Sequence, residues 1–164
     1  MMQVTRELVV RWEDPLPGAQ TLRTLSGIEA IRAVRDGRVP APPIAMLMGF
    51  TIAEVDEGRV VFEGTPGEQH YNPNGAVHGG FALTLFDSAL GCAIHTALPV
   101  GVGFTTTDVQ VRFIRGMTKD TGPVRCEATV VHLGRSTAVA EGKLRDGTGR
   151  VLATGTTACA ILRP

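Results

Sequence analysis

Cysteine and serine are scarce in this chain of 164 residues. Its three cysteines are an odd number without a CxxC pair, so the sequence contains neither a disulfide framework nor a paired-cysteine metal or redox motif. None of the three serines stands in a GxSxG sequence, which excludes the nucleophile elbow of serine hydrolases. We therefore expect the cysteines to be small core residues in a cytoplasmic protein.

An excess of charge of one sign is also missing. Sixteen basic and sixteen acidic residues give a formal net charge of zero, which supplies no field for nucleic acid or an anionic membrane. The chain has no apolar run long enough to span a bilayer and no signal-peptide pattern at its start. Its four histidines never occur at HxxH or HxxxH spacing, and no Walker or dinucleotide-binding motif occurs. We expect no nucleic-acid or membrane partner, no metal and no resident cofactor.

Proline divides the chain into two parts. The run Pro-Ala-Pro-Pro at residues 40–43 is the clearest interruption, and it separates an accessory segment, residues 1–40, from a main domain, residues 41–164. In the first segment the pattern predicts a short strand at residues 8–10 and a helix that Ser26 opens.

The main domain combines one apolar helix with alternating strand patterns. Residues 77–98 mix Gly and Ala with Leu, Phe and Ile, and apolar residues occupy almost every face of the predicted helix. Such a helix needs a surface around it, so we expect an α+β fold in which a curved antiparallel sheet of five to six strands wraps around one long buried helix. The predicted strands are residues 50–55, 60–63, 105–114, 124–132, 137–144 and 151–162.

Asp87 interrupts the apolar pattern of this helix. Burial of an unpaired carboxylate costs several kcal/mol, so a buried aspartate has either a partner or a task. One interpretation is structural, with Asp87 paired to an arginine across a polar seam. The other is catalytic, and the residue alone does not separate the two.

The loop before the helix, residues 72–80, ends in His-Gly-Gly. Two successive glycines at a helix N-terminus leave backbone N–H groups uncovered, at the positive end of the helix dipole, as in an oxyanion hole. Gly79 precedes Asp87 by eight residues, which is about 12 Å along the helix axis. Both groups cannot hold one carbonyl within one chain, so either the substrate bridges them or Gly79 of one protomer meets Asp87 of another.

Some neighbours of Asp87 have a structural interpretation beside a functional one. His78 either fixes the loop in a functional geometry or is a structural hydrogen-bonding group, and Asn72 belongs to an Asn-Pro-Asn-Gly turn. Thr84 and Ser88 either orient Asp87 or bond to backbone carbonyls of the helix.

This pattern resembles the signature of the hotdog-fold acyl-CoA thioesterases of the PaaI-like, phenylacetate-degradation branch. The resemblance covers roughly residues 40–162 and rests on the following residues: Asn72, Gly75, His78, Gly79, Gly80, Leu83, Leu85 and Asp87, with the strand at 106–113 and the turn at 134–136. It implies a homodimer, or a homotetramer of two dimers, with active sites at the dimer interface. It also implies an acyl-CoA substrate and no cofactor other than the CoA of that substrate.

The resemblance also implies catalytic roles. The Gly79 amide would polarise the thioester carbonyl, and Asp87 would act as general base or nucleophile. Asn72 would position water or the thioester, and His78 would brace the loop. Thr106 would place a hydroxyl near the carboxylate, although Thr105 and Thr107 stand beside it and a shift of one residue changes the face.

Coenzyme A is polyanionic, so a neutral protein needs a local basic cluster to hold it. Our candidates are Gly80, Arg115, Lys119, Arg135 and Ser136, and the alternative is that these charges are solvated loop residues.

The acyl group is left open as aryl or short to medium chain, because an apolar residue is as compatible with core as with pocket. The candidates for a pocket are Met46, Met48, Phe81, Leu85 and Phe104. Two other functions remain: a non-catalytic acyl-CoA-binding hotdog protein, and a hotdog enoyl-thioester hydratase or dehydratase.

Overall fold

The computed structural model describes residues 4–164, so residues 1–3 of the accessory segment lie outside the described part. Residues 4–14 contain no helix or strand, and the strand predicted at residues 8–10 is wrong. Helix α1 spans Pro15–Leu22. Proline suits the first helical turn because its missing N–H would have no partner there, and Asp14 caps the helix by accepting from the Leu16 N–H at 2.9 Å.

Helix α2 spans Gly27–Arg35, and Ser26 is its N-cap as predicted. The Ser26 backbone N–H donates to the Glu29 carboxylate at 3.0 Å, which closes a capping box. A third helix, α3, spans Pro43–Met48 and leads into the sheet.

Six antiparallel strands form one sheet in the order β1-β2-β4-β5-β6-β3, which confirms the predicted sheet. The strands are β1 Phe50–Asp56, β2 Arg59–Gly64, β3 Gly103–Phe113, β4 Val124–Leu133, β5 Thr137–Asp146 and β6 Val151–Leu162. Gly58 closes the β1–β2 hairpin with a φ of 72°, a conformation in which a side chain is strained. Strand β3 is an edge strand because its ladder partner is β6 alone.

Helix α4 spans Gly79–Thr96 and packs against the sheet. Its sheet-facing side buries Phe81, Leu85, Phe86, Leu90 and Ile94, which are among the largest fully buried side chains. The helix is shorter than the predicted 77–98 and is not buried on every side. The sheet covers one side only, so the opposite side leaves Leu83 and Asp87 exposed.

The accessory segment packs on the main domain through α2. The Gly27 N–H donates to the Leu98 carbonyl at 3.0 Å, just beyond the end of α4. A Cβ at Gly27 would lie 1.6 Å from the backbone oxygen of His95, so this contact requires glycine. The division at residue 40 stays a prediction. Among residues 4–164, no helix has both the length and the apolar character needed to cross a membrane.

Candidate active site

Thr106 and Asp87 meet on the exposed side of α4. The Thr106 hydroxyl donates to a carboxylate oxygen of Asp87 at 3.0 Å, whereas the Thr107 hydroxyl donates to the Ala158 carbonyl at 2.9 Å. The β3–β6 register shifts between Thr106 and Asp108, so Thr107 is the extra residue of a β-bulge. The bulge resolves which of the three successive threonines faces the carboxylate.

Asp87 itself is exposed, so the buried setting expected from the sequence is wrong for the single chain. The apolar pattern around it belongs to helix faces that contact the sheet and α2, while Asp87 projects from the remaining side. It therefore needs no arginine partner to compensate for burial, and Thr106 is its hydrogen-bond donor among residues 4–164.

Two thiols lie within the electrostatic influence of Asp87. Burial raises the pKa of the Cys92 thiol to about 12, and the Asp87 carboxylate adds to the increase. Burial also raises the pKa of the Cys159 thiol, again with a contribution from Asp87. Both thiols are therefore protonated at neutral pH, and neither is an activated nucleophile.

The His-Gly-Gly sequence forms the start of α4. His78 is the N-cap, and its Nδ1 accepts from the Gly80 N–H at 2.8 Å, so the Gly80 amide is already engaged. Within residues 4–164 the Gly79 N–H donates to no protein acceptor. A Cβ on Gly79 would lie 2.9 Å from the ring of Phe113, so that ring occupies the place of a side chain. The arrangement leaves one uncovered amide, that of Gly79, at the positive end of the helix.

Backbone bonds fix the loop that carries this amide. The Val77 N–H donates to the Met117 carbonyl at 3.0 Å, and the His78 N–H donates to the His70 carbonyl at 2.7 Å. The Asn72 side-chain oxygen accepts from the Asn74 N–H at 2.9 Å, as in an Asx turn. The turn uses the oxygen of Asn72, and the side-chain NH₂ remains as a donor.

The other two polar residues of α4 near Asp87 differ in their contacts. The Thr84 hydroxyl donates to the Gly80 carbonyl at 2.8 Å, which is the structural alternative considered for it. Ser88 instead lines a cavity, described below.

The candidate CoA contacts fall into two groups that one chain does not bring together. Arg115 and Lys119 lie near the Gly79 end of α4, because Met117 between them bonds to Val77. Arg135 and Ser136 lie at the opposite end of β3, where the Ile161 N–H donates to the Ser136 carbonyl at 2.9 Å and Ile161 pairs with Phe104. The length of β3 separates the groups by roughly 30 Å.

A cavity of about 400 Å³ lies between the accessory segment and α4. Helix α4 supplies Ser88 and Cys92 to its wall, and α1, α2, α3 and β1 supply most of the remainder. Of the five residues proposed from the sequence as pocket candidates, Met46 lines this cavity, whereas Phe81 and Leu85 belong to the core. The signal that could have indicated it is the pair Ser88 and Cys92, two small residues four apart on a helix with larger apolar neighbours.

Comparisons with known proteins identify a family and several proteins that this chain resembles. Residues 74–153 match the family described as the Thioesterase superfamily. A candidate esterase of Halobacterium salinarum is 40% identical over 44% of this chain, a match that spans only 47% of that protein. The 1,4-dihydroxy-2-naphthoyl-CoA hydrolase of Listeria monocytogenes is 28% identical over 64% of this chain and 84% of its own length.

A solved structure extends the similarity to three quarters of this chain, 75%. The phenylacetic acid degradation protein PaaI of Thermus thermophilus, solved as a point mutant, superposes with a TM-score of 0.66 and 25% identity. The match covers 75% of this chain and all of the other, 100%. Residues 74–153 are therefore similar to the Thioesterase superfamily, and the six-stranded sheet with its long helix is the hotdog fold. The fold is similar to that of PaaI.

Proposed function

We propose that this protein is an acyl-CoA thioesterase, which hydrolyses an aryl or short- to medium-chain acyl-CoA to the free acid and CoA. The observation that carries the proposal is the Asp87 carboxylate, exposed on the central helix and held at 3.0 Å by the Thr106 hydroxyl. The uncovered Gly79 amide adds the second group that the reaction needs.

Thioester hydrolysis needs a donor for the developing oxyanion and a group that activates water. The Gly79 N–H donates to the carbonyl oxygen, an effect worth on the order of 3 kcal/mol per donor in comparable sites. Asp87 takes a proton from water as the water oxygen bonds to the acyl carbon, the C–S bond breaks and the CoA sulfur receives a proton. Alternatively the carboxylate attacks the carbon directly, the C–S bond breaks, and CoA leaves as a thiolate that takes a proton from water. Water then hydrolyses the mixed anhydride to the free acid and restores the Asp87 carboxylate.

The other predicted residues support these two. The Asn72 NH₂ group positions water or the thioester, and Thr106 orients the carboxylate. His78 braces the loop through its bond to the Gly80 N–H. A thioester is reactive enough for this set, so we propose no resident cofactor.

We propose that two copies form the active unit. Gly79 and Asp87 are about 12 Å apart along α4, so Gly79 of one protomer would act with Asp87 of its partner. The free edge of β3 allows antiparallel pairing between the β3 strands of two copies. Because that pairing opposes the ends of the two strands, Arg115 and Lys119 of one copy would approach Arg135 and Ser136 of the other.

This assembly would place the proposed CoA contacts, Gly80 included, around one site. The unit is a homodimer, or a homotetramer of two dimers, and it acts in the cytoplasm on a small-molecule substrate. That location is supported by three cysteines that remain free thiols. We propose neither a nucleic-acid nor a membrane partner.

Free-thiol release from a panel of aryl and aliphatic acyl-CoAs tests the function. We expect turnover by the wild type and a loss of roughly a hundredfold in kcat for Asp87→Asn, with the oligomer retained. Glu57→Gln is the control, since Glu57 is an exposed acid in the β1–β2 hairpin, outside the proposed site and the β3 edge, and this variant should keep its activity. Binding of acyl-CoA without turnover by either protein would establish the non-catalytic alternative, and hydration of an enoyl-CoA would establish the hydratase.

A further inference from the structure

We propose that the accessory segment, together with α3 and β1, forms the acyl-binding pocket of this site, and that the pocket selects an uncharged, apolar acyl group of on the order of ten carbon atoms. The inference rests on the proposed thioesterase function. It assigns specificity to residues before position 53, which lie outside the family match at residues 74–153.

The cavity lies beside Asp87 on α4, which is the first argument for the proposal. Its α4 wall consists of Ser88 and Cys92, which are one helical turn apart. Ser88 directly follows Asp87, so their Cα atoms are about 3.8 Å apart. An acyl carbon attacked from Asp87 would therefore have its chain directed along α4 into the cavity.

The walls of the cavity are mainly apolar, which is the second argument for the proposal. Ile31, Val34, Ile44, Met46 and Ile52 contribute apolar side chains. A carboxylate at the far end of an acyl group would lose its hydration there, and such a burial is costly without a cation.

The ionised groups that line the cavity are Glu13, Asp14 and Arg35, and all three are exposed to solvent. Arg35 donates to the Asp36 carboxylate at 2.8 Å, and Asp14 accepts from the Leu16 N–H. The Cys92 thiol inside is neutral, because burial raises its pKa to about 12. An uncharged acyl group is thus the ligand that this cavity accommodates.

The volume sets the size of the acyl group. About 400 Å³ lies at the lower end of the range for small-molecule pockets, roughly 300–1,000 Å³. Since one water molecule takes about 30 Å³ in the liquid and a methylene group is of similar size, the cavity holds on the order of ten such groups. An acetyl group would leave most of it unfilled.

The accessory segment is fixed firmly enough to act as a wall. Helix α2 buries Ala30, Ile31 and Ala33, and its first residue contacts the backbone at the end of α4. The wall formed by α2 is therefore held in place relative to the helix that carries Asp87.

Acyl-chain selectivity of variants that fill the cavity tests the proposal. The measurement is the ratio of kcat/KM for octanoyl-CoA to that for acetyl-CoA, with succinyl-CoA as the charged substrate. We expect the wild type to prefer octanoyl-CoA over both by at least tenfold. Cys92→Phe and Val34→Trp, which fill the cavity from α4 and from α2, should each lower the octanoyl-to-acetyl ratio at least tenfold.

Two matched controls isolate the effect of volume. Cys92→Ser keeps the size of the side chain, and Gln20→Trp adds the same bulk as Val34→Trp on an exposed α1 position outside the cavity. Both should keep the wild-type ratio within about twofold. Unchanged ratios in the two filled variants, with wild-type melting curves, would overturn the proposal.

A binding experiment separates this inference from the proposed function. Isothermal titration of Asp87→Asn protein should give a Kd for octanoyl-CoA at least tenfold below that for CoA, and either filling substitution should remove the difference. If this Kd difference were found but the wild type hydrolysed no acyl-CoA, the thioesterase function would be refuted and the acyl pocket would still stand. Equal Kd values for octanoyl-CoA and CoA would refute the pocket, whether or not the filled variants fold.

Discussion

The hydroxyl of Thr106 donates to the Asp87 carboxylate across 3.0 Å, from the edge strand of the sheet to the exposed side of the central helix. A carboxylate with one oxygen held in this way keeps its other oxygen oriented toward the substrate side. The hydrogen bond therefore predetermines the geometry of the proposed base without burying it.

Replacement of Thr106 should expose this positioning role. Thr106→Val removes the donor at constant shape, and we expect kcat to fall about tenfold because Asp87 loses its fixed orientation. Thr106→Ser keeps a hydroxyl and should retain most of the activity. Thr107→Val serves as the control, since its hydroxyl bonds to the Ala158 carbonyl; an equal loss of kcat in this variant would contradict the assignment.

His78 should contribute to stability through its capping bond. His78→Ala leaves the Gly80 N–H without its acceptor, and we expect the free energy of unfolding to fall by about 1 kcal/mol. Asparagine is a good N-cap, so His78→Asn should unfold at nearly the wild-type urea concentration. If His78→Asn lost as much free energy of unfolding as His78→Ala, the imidazole would contribute more than the acceptor of this bond.

Gly27 should tolerate no side chain. Its Cβ would lie 1.6 Å from the His95 carbonyl oxygen, and backbone cannot move aside as a side-chain tip can. We expect Gly27→Ala to lower the free energy of unfolding by about 3 kcal/mol or to detach α2. Gly116→Ala is the control, because nothing lies within 4 Å of its Cβ. If Gly27→Ala and Gly116→Ala melted at the same temperature, the close contact at Gly27 would be disproved.

Acid should destabilise the protein through two histidines. Burial lowers the pKa of both His70 and His95, so the folded state binds fewer protons than the unfolded state, whose histidines have a pKa of about 6.5. Their contribution to stability is complete above that value and is lost as the pH falls through it toward the lower folded values. Urea unfolding between about pH 7.5 and about pH 5.5 measures this slope.

A variant without one of these titrating groups provides the check. His95→Phe keeps an aromatic ring beside Phe104, whose centroid is 5.4 Å from that of His95. Its stability should depend less steeply on pH than that of the wild type. Parallel slopes in the two proteins would exclude His95 as a source of the acid sensitivity.

Local patterns explain why the sheet and the central helix could be predicted. Alternating apolar residues and a glycine at position 58 determine the β1–β2 hairpin without reference to the rest of the chain, and Ser26 marks the start of α2 in the same way. The start of α1 at Pro15 has no such unambiguous local signal, because proline is favoured both in turns and in the first turn of a helix.

Relations between distant segments account for the remaining errors. The exposure of Asp87 depends on which side of α4 the sheet leaves uncovered, and apolar character alone does not indicate that side. The separation of Arg115 from Arg135 follows from the direction of β3, and the cavity follows from the position of the accessory segment on α4. The hydrophobic periodicity of a single helix or strand does not determine how far apart residues of different elements lie.

The contact between Gly27 and the His95 carbonyl joins two backbones with no side chain between them. Its spacing therefore does not depend on the identity of the other residues in α2. Mutation can alter the cavity-lining positions, such as Val34, while the helix keeps its place. Laboratory evolution of new substrate ranges could concentrate on these positions and leave the reaction chemistry on α4 untouched.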